Sequence, residues 1–79
     1  DVQVYPNPAS DRIFISLPAK NDADQIQLTL FNGQGQVVRR AFAQNRPMEL
    51  SVTGLVPGMY VLRVEAEWGT TVKKVYVGR

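Results

Sequence analysis

Hydrophobicity in this chain alternates with a period of two almost from end to end. Gln25-Ile26-Gln27-Leu28-Thr29-Leu30-Phe31 is the clearest case, with Ile26, Leu28 and Leu30 on one face and Gln25, Gln27 and Thr29 on the other. Successive side chains of a strand point to opposite faces, so this pattern buries one face of a sheet and cannot form an amphipathic helix. The same alternation recurs in Val2–Tyr5, Arg12–Leu17, Gln36–Phe42, Met48–Val52, Met59–Glu67 and Thr70–Val77. Seven short strands punctuated by turn signals predict an all-β sandwich of antiparallel strands with Greek-key connections. Ile13, Ile15 and Leu17 form an expected inner face, as do Met48, Leu50 and Val52, and Tyr60, Leu62, Val64 and Ala66.

The punctuation is equally specific. Pro6-Asn7-Pro8 stops the first strand, because neither proline can donate to a ladder. Asn32-Gly33 predicts a type I′ hairpin turn, and Gly35 beside it predicts a longer loop or a bulge. Pro57-Gly58 fits the centre of a type II turn. Tyr60 follows closely and is expected in the core, its hydroxyl bonded near the end of the domain. Seventy-nine residues are read as one domain, 1–79, with no apolar run long enough for a membrane helix. The start shows no signal peptide, which fits a domain taken from a longer protein.

Composition removes most chemistry. The chain has no histidine and no cysteine, so zinc sites, thiolates and the usual base for a serine nucleophile are absent. Gly33-Gln34-Gly35 leads into a strand and does not make a phosphate loop. Asp22-Ala23-Asp24 begins like a calcium loop but lacks the later glycine and glutamate, so a solvated loop is the better reading. Glu65 and Glu67 share a strand face. Arg63 and Lys73 or Lys74 are their expected cross-strand partners, which makes an acid–base pair unnecessary. Trp68 is read as a packing residue; stacking on a sugar or anchoring a partner is the alternative. The chain is not expected to be an enzyme or to carry a cofactor or metal. A net charge of +2 is too small to imply nucleic acid. The doublets Arg39-Arg40 and Lys73-Lys74 split across strand faces and read as solvated edges that discourage aggregation.

Four blocks of sequence, in order, carry a resemblance. They are Val4-Tyr5-Pro6-Asn7-Pro8-Ala9-Ser10-Asp11, Leu28 to Val38 with Asn32-Gly33-Gln34-Gly35, Gly54 to Val64 with Pro57-Gly58-Met59-Tyr60, and Lys73-Lys74-Val75-Tyr76-Val77. Together they resemble the C-terminal sorting domain of type IX secretion cargo. The resemblance implies an immunoglobulin-like sandwich that acts as an address label. Its implied partners are a covalently joined upstream cargo domain, an outer-membrane translocon and a surface signal peptidase that removes the domain. It implies passage through the periplasm to the cell surface or beyond. The motif positions fall on Pro6, Asn7, Pro8, Gly33, Gly35, Gly58 and Tyr60, which turns and packing explain. Lys73, Lys74, Val75, Tyr76 and Val77 are left as recognition candidates. An exposed last strand at that place predicts pairing with a partner strand, steered by the two lysines, and also permits homodimerisation by edge-strand pairing. The competing reading is a carbohydrate-binding or adhesive sandwich, which needs an aromatic platform built from Trp68 with Phe31 or Phe42.

Overall fold

A computed structural model describes residues 2–17, 25–43, 48–67 and 69–78. Seven strands appear in order: β1 (Gln3–Tyr5), β2 (Arg12–Ser16), β3 (Ile26–Phe31), β4 (Val37–Ala43), β5 (Met48–Ser51), β6 (Gly58–Ala66) and β7 (Gly69–Val77). They form two antiparallel sheets, β1-β2-β5 and β4-β3-β6-β7. The chain changes sheet between β2 and β3, between β4 and β5, and between β5 and β6. That is the connectivity of an immunoglobulin-type sandwich, with β4 placed beside β3 and not beside β5. The predicted all-β class and strand count agree with the structure.

Alternation places the core where the sequence put it. Ile13, Ile15 and Leu17 of one sheet face Leu28, Leu30, Leu62 and Val64 of the other, all buried. Burying a side chain of that size stabilises by roughly 1.5–3 kcal/mol. Thr29 departs from the pattern. It lies on the outer face, yet it is 0% exposed and its hydroxyl has no hydrogen-bond partner. Its direct cross-strand neighbours are Arg40 and Arg63, whose long side chains screen the centre of the sheet.

The turns differ from expectation in chemistry more than in place. No non-glycine residue among the described residues has positive φ, which rules out a type I′ turn at Asn32-Gly33. The loop spans three residues between Asn32 and Gln36, with Gly35 at φ 83. Asn32 supplies the cap: its Oδ1 accepts from the Gln34 and Gln36 amides, each at 2.9 Å. The expected bulge follows, as a register shift between Leu30 and Phe31. Gly58 likewise does not close a type II turn; it opens β6 opposite Val77. The positive-φ glycine of that connection is Gly54 at φ 84, third residue of the turn closed by Leu55 N–H on Val52 O.

Both open sides of the sandwich are tied. On one, the Arg39 guanidinium donates to the Val38 and Thr53 carbonyls at 2.8 and 2.7 Å, bridging β4 to the chain after β5. Arg40 turns outward, so this doublet makes no one-sided stripe. At the start of β6, the buried Tyr60 ring sends its hydroxyl back to the Val56 carbonyl. This is the tyrosine corner seen in sandwiches of this type, and it is where the Tyr60 hydroxyl was expected.

Candidate functional site

β7 is the edge strand of the larger sheet, and its register with β6 is unbroken from Gly58–Val77 to Ala66–Gly69. Parity therefore sorts its side chains. Val75 and Val77 point inward and are 0% and 6% exposed. Lys74 and Tyr76 point outward and are exposed, as is Val72. Lys73 has the inward parity but lies beyond the core, where it meets β1. It lines a groove of about 420 Å³ with Lys74, Val2, Gln3, Val4, Tyr5 and Asn7. The five recognition candidates thus divide into two core residues, two outward side chains and one groove residue.

The edge of β7 is only partly free. After β1 the chain leaves the smaller sheet, passes the cis Tyr5–Pro6 and Asn7–Pro8 bonds, and lies along the end of β7. Ala9 N–H donates to Tyr76 O at 2.7 Å, and Gly78 N–H donates to Ala9 O at 2.8 Å, a parallel bridge. Asn7 extends it with its side chain. Its Oδ1 accepts from Tyr76 N–H at 2.9 Å and its Nδ2 lies 3.5 Å from Lys74 O. Pro6-Asn7-Pro8 is therefore a clamp as well as a strand stop. Sequence reasoning gave Asn7 only the turn. The available signal was Ala9, a small apolar residue amid polar turn residues, which proves fully buried.

The lysines do not pair as expected. Lys73 and Lys74 sit opposite Leu62 and Val61, whereas Glu65 sits opposite Thr70. Of the expected partners Glu65 meets Arg63, which lies on its own strand, at 3.2 Å. No carboxylate among the described residues lies within ion-pair distance of Lys73 or Lys74. Glu65 and Glu67 line a shallow groove of about 320 Å³ with Gln25, Gln27 and Phe42, and no other acidic, serine or threonine side chain among the described residues lines it.

The aromatic residues do not assemble a sugar platform among the described residues. Phe31 lies under the Arg63 guanidinium, 4.9 Å from ring centroid to Cζ. Phe42 pairs with Gln27 and Phe31 with Val37, which separates the two rings by four residues of strand, about 13 Å. Tyr5 stacks on Phe14 at 5.8 Å. Trp68 and the Asp22–Asp24 loop lie outside the described residues. Among the described residues no group of three or more acidic side chains is placed to hold a metal ion.

The fold and its edge define a class: an immunoglobulin-type module whose distinctive surface is a strand edge. The comparison with known families makes this specific. The model of the secretion system C-terminal sorting domain matches residues 3–78, and the chain belongs to that family. Its function is that of a C-terminal sorting signal for type IX secretion, and domains of this family are not catalytic. The chain is also 28% identical over 64 residues to Beta-agarase A of Zobellia galactanivorans. That match covers 81% of this chain and 12% of the agarase. The domain is thus a tail joined to an upstream cargo domain, and it is carried to the cell surface or the extracellular space.

Proposed function

We propose that the outer-membrane translocon reads this sorting domain at β7. The observation that carries the reading is the division of that strand. Lys74 and Tyr76 present their side chains to the outside, and Lys73 presents its ammonium to the β1 groove. Val75 and Val77 contribute by anchoring the strand in the core, which fixes the direction of the other three. In this reading residues 1–79 act as one sorting unit with no catalytic step of their own. The cargo crosses the periplasm before the translocon engages it, and a surface signal peptidase then removes the domain. Edge-strand pairing between two copies is the competing use of the same edge. It brings four lysines to one seam without an offsetting carboxylate among the described residues, so it requires high protein concentration or high salt.

The test fuses residues 1–79 to a signal peptide and a fluorescent reporter in a bacterium with a working type IX system. The intact fusion reaches the cell surface. Deletion of residues 73–79 leaves the folded reporter in the periplasm. Surface delivery of the deletion at the intact level overturns the reading.

A further inference from the structure

We infer that Thr70–Lys74 of β7 is a strand-pairing site for an extended, acidic segment of the partner polypeptide. This rests on the reading that β7 is the element the partner engages, and it specifies which part and by what chemistry. The argument starts from the ladder. Tyr76 N–H and C=O both point away from β6, since they bond to Asn7 and Ala9. In an unbroken antiparallel register the direction of the backbone groups alternates, so Lys74, Val72 and Thr70 also direct N–H and C=O away from β6. The clamp covers Tyr76, the Gly78 amide and, at 3.5 Å, the Lys74 carbonyl. No backbone or side-chain group among the described residues takes the outward groups of Thr70 and Val72 or the Lys74 amide.

An open row of alternating donors and acceptors is a template for an added strand. Its length fits a partner segment of about four to five residues, at about 3.3 Å per residue. Asn7 marks where that segment must stop, which fixes its register. The groove between β1 and β7 gives the segment a floor and a second wall. Lys73 opens into that groove, Lys74 stands at its rim, and neither has a carboxylate partner among the described residues. Two unpaired cations at a strand-pairing edge select a segment with carboxylates at matching positions.

The deciding variant is Val72→Pro. The Val72 amide faces away from β6, so proline removes an outward donor and leaves the β6–β7 ladder intact. Val72→Thr keeps the amide and serves as control. In the reporter fusion, Val72→Pro is expected to lower surface delivery at least tenfold while Val72→Thr is delivered normally. Lys73→Glu with Lys74→Glu is expected to cause a comparable loss. If deletion of 73–79 blocks delivery but folded Val72→Pro is delivered normally, the pairing inference falls and the sorting reading stands. Normal delivery of the deletion removes the sorting reading itself. Should Val72→Pro fail to fold, amide exchange on the unmodified domain decides. A six-residue peptide alternating glutamate with valine, at about millimolar concentration, slows exchange at Val72 and Lys74 at least tenfold, and added salt reverses this. No slowing, or equal slowing by the matching lysine peptide, overturns the inference.

Discussion

Tyr60→Phe removes one hydroxyl and leaves the rest of the core in place. The ring is buried at the start of β6, and the lost atom is the donor to the Val56 carbonyl four residues upstream. A partly buried bond of this kind contributes about 1 kcal/mol net, rising toward about 2 kcal/mol when the abandoned carbonyl stays shielded from water. Val56 itself is exposed, so water reaches the freed carbonyl and the lower part of that range applies. We expect a loss of about 1–1.5 kcal/mol, equivalent to a drop of about 5–10 °C in melting temperature for a domain of this size. Urea unfolding followed by tyrosine and tryptophan fluorescence measures it. The midpoint should fall while the slope stays constant, because the buried surface is unchanged. A loss below about 0.3 kcal/mol would refute the claim that the hydroxyl fastens the connection between the sheets. A changed slope would refute the claim that the core is untouched.

Three further substitutions probe separate features. Thr29→Val replaces a buried, unbonded hydroxyl with a methyl of similar shape, so it should raise stability by about 1 kcal/mol in denaturant unfolding; a loss would show that the hydroxyl has a partner. Asn7→Ala breaks the side-chain half of the clamp, and should cost about 1 kcal/mol and speed exchange of the Tyr76 amide while leaving the Val75 amide protected. Gly35→Ala meets no neighbour within 4 Å, so its cost is the strain of φ 83 alone, about 1 kcal/mol by thermal unfolding; an unchanged midpoint would mean the loop adopts another form.

The strands and their faces were legible because one rule, alternation against a single core, governs them all. Ile26, Leu28 and Leu30 needed no tertiary information to be placed. Turn chemistry was legible in position but not in type. Asn32-Gly33 marks a hairpin, yet the asparagine side chain competes for the backbone and moves the positive φ to Gly35. Pro57-Gly58 drew attention from Thr53-Gly54, where the turn is made. The burial of Thr29 depends on two arginines from other strands, which no local window contains. The candidate site was the least legible. β7 could be named from its sequence, but its division into a clamped and an open half comes from Asn7 and Ala9, nearly the whole chain away. Adjacency alone put Lys73 and Lys74 on different faces, but which of them turns toward the β1 groove had to await the register with β6.

The parallel bridge between Ala9 and Val77 has a mechanical consequence. The chain entering at Val2 and the chain leaving at Gly78 run side by side in the same direction, so tension between them slides one past the other. Under such tension the Ala9–Tyr76, Gly78–Ala9 and Asn7–Tyr76 hydrogen bonds share the load and must yield together. Hairpin strands pulled from their open end give way one bond at a time instead. The two ends of the domain are therefore joined in the geometry that resists pulling best, and two residues, Asn7 and Ala9, set that strength.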